Sequence, residues 1–450
     1  MSMFLYGMLT LVFTLFIFIK PRVAFYLVLG SLMTFFEPLS QVVLFTVGKS
    51  NVYGCDLIMI SLFFYLVCGL LMHQRFPWYP ASVRWFSALF LWGVLGIARG
   101  IPRYGYRAVG EARWYVIMPI LCYYFVLMNF KSKRQIRDLV QTGLWLLLFA
   151  LAFRFVDYYL LGGMGRLEWW ALEDPRARFR FIGANTNLLV AWALILLILF
   201  YVFGAIKKSQ FLFYAGFGLL STVIIVPQTR SVWLAAAVGI AIVMTFIGSH
   251  FARRGLPLQG VFLAHIVLLI AILLPLVASL VGGELVNKII QSASFIKNPT
   301  NDPTGYWRLL GWQQELEKAM QQPFLGQGLG GYSEWFDGQT WQQVAVHNGY
   351  IMHFSKFGIS GLAVLFVALA SWYKEVTKYI RLEKGRYYKL LASGFQICVF
   401  MNLVFAFFYD FTIFFWIVVA IGTALVRAHQ YDESLAGPPY ATQSRRIYEH

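Results

Sequence analysis

Leu188-Leu-Val-Ala-Trp-Ala-Leu-Ile-Leu-Leu-Ile-Leu-Phe-Tyr-Val-Phe203 contains no charged side chain and almost nothing polar. With its flanks it forms a run over 186–205, long enough at about 1.5 Å per residue to cross roughly 30 Å of hydrocarbon. Similar runs fall at 3–19, 23–36, 55–73, 84–98, 114–130, 137–161, 211–227, 230–249, 259–282, 348–373, 388–405 and 410–427. The expected fold is therefore an all-α polytopic membrane protein with about 12–13 transmembrane helices, the count depending on how 1–48 divides. Composition agrees: 59% of residues are hydrophobic and 13% charged, against roughly 25% charged in soluble domains. The spans use up the length, so one membrane domain is read over 1–427, followed by a polar, disordered tail at 428–450. The first run lacks a basic start and is followed by Lys20-Pro-Arg22, so it does not read as a cleaved signal peptide.

Short basic loops set the orientation. Lys131-Ser-Lys-Arg134, Lys207-Lys208, Arg253-Arg254 and the stretch from Lys374 to Lys389 alternate between spans, which marks them, and the C-terminal tail, as cytoplasmic. Segments 99–113, 162–183, the turn Pro227–Arg230 and the 64 residues 283–346 then face the other side. Net charge is +17, and part of it sits on that second face, against the insertion bias: Arg99, Arg103, Arg107, Arg113, Arg166, Arg176, Arg178, Arg180, Arg230 and Arg308. A guanidinium is a permanently charged, planar fork of donors suited to phosphate oxygens. The plain alternative is that these are loop charges paired with Glu111, Glu168, Glu173 and Asp174.

Arg230 is the sharpest case. It lies in Gln228-Thr-Arg-Ser-Val-Trp233, between two apolar runs with almost no loop. An arginine costs about 2.5–3.5 kcal/mol at the bilayer centre and less near the interface. It is expected to face a wet, protein-lined cavity, with snorkelling to the headgroups as the rival. Arg178-Phe-Arg180 precedes Gly183-Ala-Asn-Thr-Asn187, where Asn185 or Asn187 reads as a helix cap.

In the long loop, Asp302-Pro303 reads as an N-cap followed by proline at the first helical position. Leu309, Trp312, Leu316 and Ala319/Met320 then share one face of an amphipathic helix ending at Pro323, able to lie on the membrane surface or cover a cavity. Gly326-Gln-Gly-Leu-Gly-Gly331 lacks the Lys-Ser/Thr of a phosphate-binding loop and no strand precedes it, so it reads as a flexible hinge. The loop ends at Val346-His-Asn-Gly-Tyr350, where the chain re-enters the membrane. A histidine there is often just an interfacial polar residue. At a helix N-terminus, however, the macrodipole disfavours imidazolium, so His347 tends to stay neutral and able to accept a proton. His353, six residues deeper, reads as a packing residue. The four cysteines have no metal-like spacing, and there is no HExxH, Asp-x-Asp or Cys/His cluster, which disfavours metal-dependent chemistry.

Three features together resemble the O-antigen ligase and polymerase superfamily of bacterial membrane glycosyltransferases: Thr229-Arg-Ser-Val-Trp233, the pattern Arg308, Trp312 and Gln322-Pro-Phe-Leu-Gly-Gln-Gly328, and His347-Asn-Gly-Tyr-Ile351 followed by Gly358-Ile-Ser-Gly-Leu362. The resemblance covers roughly 180–370. It implies a GT-C-like fold with an amphipathic helix in a long periplasmic loop (283–346), no cofactor, and a glycan donor on undecaprenyl diphosphate at the periplasmic face of the inner membrane. His347 matches the family's loop histidine; Arg230 and Arg180 match arginines that hold the diphosphate, so these three are the expected catalytic residues. Where the family has Pro-Asn after the second arginine this chain has Thr186-Asn187, which makes Arg178 the rival. Arg308, Arg178, Arg113 and Asn348 are the expected substrate-binding residues. The acceptor expected first is lipid A-core, as in a ligase; the alternatives are a polymerase extending the lipid-linked glycan and a flippase. A flippase predicts midspan charges and two related halves, and no internal repeat is visible.

Overall fold

The computed structural model describes residues 2–34, 43–47, 50–72, 80–159, 182–205, 210–227, 229–252, 303–331, 333–336, 341–344 and 346–435. In chain order the helices are α1 (Ser2–Ile19), α2 (Pro21–Thr34), α3 (Gly54–Leu71), α4 (Ala81–Tyr104), α5 (Tyr106–Ala112), a π turn (Arg113–Ile117) leading into α6 (Met118–Asn129), α7 (Lys133–Tyr159), α8 (Ala184–Val202), α9 (Gln210–Ile225), α10 (Arg230–Ala252), α11 (Pro303–Met320), α12 (Gly349–Leu382), α13 (Arg386–Phe405) and α14 (Ile413–Leu435). Two small antiparallel hairpins accompany them: β1 (Val43–Val47) with β2 (Ser50–Tyr53), and β3 (Ser333–Phe336) with β4 (Trp341–Val344). Among the described residues eight helices are long and apolar enough to cross a membrane, with Pro21–Thr34 and Gln210–Ile225 as shorter apolar companions. The chain is an all-α polytopic membrane protein. Twelve of the thirteen expected runs coincide with helices, α6 carrying 114–130 together with the π turn; the run 259–282 and its neighbour Arg253-Arg254 lie outside the described residues. Helix α14 continues to Leu435, past the expected start of the tail.

Contacts between helices fix which ends lie together. Ser82 N donates to the Glu375 carboxylate at 3.1 Å, while Trp92 Nε1 donates to Phe357 O at 3.0 Å, so α4 runs antiparallel to α12. Lys133 pairs with Glu383 at 2.9 Å, and Arg427 Nη1 donates to Leu127 O at 2.9 Å. These contacts gather Lys131–Arg134 and the 374–389 stretch at one end, as the basic-loop pattern predicts. Phe200 meets Tyr387 and Phe203 meets Phe246, which places the starts of α8 and α10 at the opposite end, with the start of α12. Since lipid is as apolar as leucine, close packing and satisfied polar groups hold such a bundle together. Buried Trp372, whose Nε1 donates to Val419 O at 2.9 Å, is one such contact.

One irregularity positions the site. Within α12, Gly358 has φ 70° and ψ −176°, which opens one turn of the helix. The freed carbonyls of Ser355 and Lys356 accept from Gln327 N (2.7 Å) and Gly328 N (3.0 Å), and the N–H groups of Ile359 and Ser360 donate to Pro323 O (2.8 Å) and Phe324 O (3.3 Å). A strap of residues 323–329 thus replaces the missing intrahelical bonds. Only glycine tolerates that φ at low cost, and a Cβ there would meet Phe324 O and the Gly326 backbone. Gly358→Ala should lower stability in detergent by at least about 1–3 kcal/mol. Gly143→Ala, on α7 with open space around it, should be neutral or slightly stabilising. Thermal unfolding of the two variants side by side checks this.

Candidate active site

Helix α11 begins at Pro303, as the proline signal predicts, and packs on α12. Its orientation differs from the simple amphipathic reading. Leu309, Leu316 and Met320 face outward at 37%, 39% and 65% exposure, whereas Glu315 is 2% exposed and accepts from Ser355 Oγ at 2.5 Å. An outward apolar edge suits a helix lying at a membrane surface. The inward face carries a charge because a serine on α12 meets it.

The glycine segment that follows is a packed strap, in place of the expected hinge. Residues 326–330 are buried, and Gly326, Gly328 and Gly330 have φ of 71°, 86° and 97°, which lets their backbone lie against Gly358, Gly100 and Ala108. Arg99 donates to Leu325 O and Gly326 O, and Arg103 to Gln322 Oε1 at 2.8 Å and Gln327 O at 3.3 Å. Two members of the expected phosphate-facing set are therefore engaged by strap carbonyls. Below the strap, Lys356 and Glu111 pair at 3.3 Å with side chains 3% and 2% exposed. Gly330 N donates to Glu111 and Lys356 Nζ donates to Gly331 O. Burial pushes the Glu111 carboxyl above its ordinary range, and Lys356 and the Gly330 N–H oppose this.

The chain then reaches His347 with φ 44°, an uncommon conformation for a residue with a Cβ. Neighbours on both sides fix it. Trp312 Nε1 donates to Val346 O at 2.7 Å, and Gly349 N donates to Ala406 O and Tyr409 O, each at 2.7 Å. Asn348 caps α12, its Oδ1 accepting from Tyr350 N (3.1 Å) and Ile351 N (3.0 Å). The His347 ring lies 5.5 Å from the Tyr409 ring, and the Arg308 guanidinium lies 5.4 Å from the centre of that same ring. Burial first, and the Arg308 charge second, hold the His347 pKa below its ordinary value. Beside Tyr409, burial raises the Asp410 carboxyl, against the Tyr115 hydroxyl that donates to it at 2.8 Å and the charge of Lys356.

The structure thus brings His347, Arg308 and Asn348 together. Arg230 starts α10 at the same end of the bundle, half-buried. There Asn187 Nδ2 and Trp233 Nε1 both donate to Ile224 O, at 3.3 and 3.0 Å, so Asn187 bridges to the end of α9. Arg113 is tied elsewhere: its Nε is 2.8 Å from Asp56, it donates to Asn51 O at 3.0 Å, and it lies over the Tyr53 ring. Arg178 and Arg180 lie outside the described residues, as do Arg166, Arg176 and their acidic neighbours. His353 packs on Phe357, 4.7 Å between ring centres, as expected of a packing residue. Tyr409, Asp410, Glu315 and Lys356 escape the sequence reading, and Glu111, expected to pair with a loop arginine, pairs with Lys356. Lys356 carried a signal, since a lysine inside an apolar run needs a buried partner.

These observations define a multi-pass helical membrane protein with a polar site built where a long loop re-enters the bundle. Residues 215–366 match the Wzy_C family model, described as O-antigen ligase, so over that third of its length the chain is similar to the O-antigen ligase and polymerase superfamily. The matched segment runs from α9 through α10, α11, the strap and His347 into α12. It supports glycosyltransferase activity of the O-antigen ligase or polymerase type. No curated protein and no solved structure matches the chain.

If capping is the main role of Asn348, Asn348→Asp keeps both stability and activity, while Asn348→Ala loses about 0.5–2 kcal/mol. Unfolding and transfer assays on the two variants check this; a contact to substrate would show as an active-site defect in the stable Asp variant.

Proposed function

We propose that the chain is a metal-independent, inverting GT-C-type glycosyltransferase at the periplasmic face of the bacterial inner membrane. It moves a glycan from undecaprenyl diphosphate to an acceptor hydroxyl, with lipid A-core favoured as acceptor. The observation that carries this reading is His347 held half-buried beside Arg308, with its pKa lowered. A histidine in that setting is neutral at pH 7 and can take a proton.

A lipid diphosphate is already a good leaving group, so a general acid is not required. What is required is fixed positive charge where the departing diphosphate gains negative charge. Arg230 fits this role. It begins a helix, whose N-terminal N–H groups favour an anion, so the guanidinium and the helix end can hold a diphosphate together. Arg180, with Arg178 as rival, would share the diphosphate; Arg308 and Asn348 border the acceptor side, and Arg113 is a more distant substrate contact. In one displacement the acceptor oxygen bonds to the anomeric carbon, the carbon–oxygen bond to diphosphate breaks, and the hydroxyl proton passes to His347.

His347→Ala should cost about 10²–10⁴-fold in transfer from purified lipid-linked glycan. Arg230→Lys should also fall, by about tenfold or more, if the contact is bidentate. Normal transfer by His347→Ala removes the proposal, and wild-type activity in Arg230→Lys makes that arginine structural. In the same assay, product on lipid A-core means ligase and a lengthening lipid-linked ladder means polymerase. No product with any acceptor would favour transport of the lipid-linked glycan.

A further inference from the structure

We infer that the buried pair Glu111–Lys356 is a positioning device for His347 and Arg308, coupling α5 and α12 to the loop that carries both. Two tethers flank residues 332–345, which include the β3–β4 hairpin. On one side Lys356 donates to Gly331 O, while Glu111 accepts from Gly330 N. On the other, Trp312 donates to Val346 O, the residue before His347. Helix α11, which carries both Arg308 and Trp312, joins the strap directly and is hooked to α12 by Glu315 and Ser355. Displacing the strap therefore moves Arg308 and the His347 backbone together.

The pair has the energetics of such a device. Both side chains are nearly without solvent access, so removing one partner leaves the other charge buried and unpaired. Removing both leaves a site that neutral side chains can fill. The local charge is also unequal: Lys356 acts electrostatically on both Glu111 and Asp410, and Glu315 acts on Glu111. Loss of Lys356 would leave Glu111 and Glu315 repelling each other between α5 and α11, and Asp410 without that cation's charge. The strap's far end, residues 330–331, is held by Glu111 and Lys356, so it is the part that shifts when the pair is broken.

The inference rests on His347 acting as the base, and its test separates the two. The groups known to face His347 are Arg308 from α11 and Tyr409 from the 406–412 segment. Withdrawing Arg308 should let the imidazole titrate closer to an ordinary histidine. The measurement is NMR titration of isotope-labelled histidine in the full chain in lipid nanodiscs, with His347→Ala assigning the signal. Lys356→Met and Glu111→Gln should each move the His347 titration upward, and with it the acid limb of the pH–rate profile. kcat should fall by about 10²-fold, the scale of a 1 Å misplacement, with the donor KM nearly unchanged. The double variant should lie closer to wild type than either single. If Lys356→Met does not accumulate, Glu111→Gln, isosteric and still offering an oxygen to Gly330 N–H, carries the same reading. A folded single variant whose His347 titration matches wild type overturns the inference, whatever its activity. An active His347→Ala overturns the base reading while leaving the titration test intact.

Discussion

At the Gly358 break, two carbonyls and two N–H groups of α12 lose their intrahelical partners. Where water is scarce, each such group left unpaired costs several kcal/mol. The strap 323–329 supplies all four partners, and only a glycine-rich segment can come close enough to do so. From this exchange the rest follows. The strap fixes the end of α11, α11 fixes Arg308 and Trp312, and Trp312 holds the carbonyl next to His347. A long loop that might wander over the membrane face is tied to the helix it re-enters.

Charge is distributed according to the same need. Arg99 and Arg103 neutralise strap carbonyls, Arg113 answers Asp56, and Lys356 answers Glu111. The arginines at this end of the bundle are thus divided between holding the loop and, in the proposed mechanism, holding the donor. Arg308 stands apart from both groups: it shares Tyr409 with His347 and lowers the basicity of the imidazole. A neutral histidine beside a fixed cation is a coherent arrangement for taking a proton while negative charge leaves on the other substrate.

Much of this architecture was legible in the sequence because hydrophobic length is a local property. The runs at 186–205 and 348–373 announced α8 and the first part of α12, and Pro303 marked the start of α11. The basic loops grouped Lys131–Arg134 with the 374–389 stretch, and Lys133–Glu383 joins them. The pairing of the strap with the broken turn is not legible, although Gln322–Gly328 and Gly358–Leu362 both stand out as motifs. Their relation is an exchange of hydrogen bonds between segments some thirty residues apart, for which composition carries no mark. The glycines looked like a hinge because close packing and freedom use the same residue. Nothing in the sequence marks Glu315 as buried, because its partner, Ser355, is on another helix.

The central claim is a single displacement in which one neutral histidine activates the acceptor on the face opposite the departing diphosphate. The anomeric configuration of the new linkage, read by NMR against that of the lipid-linked donor, tests it most directly. An inverted linkage is the predicted result. A retained one would require a covalent glycosyl intermediate or a second displacement, and would contradict the account.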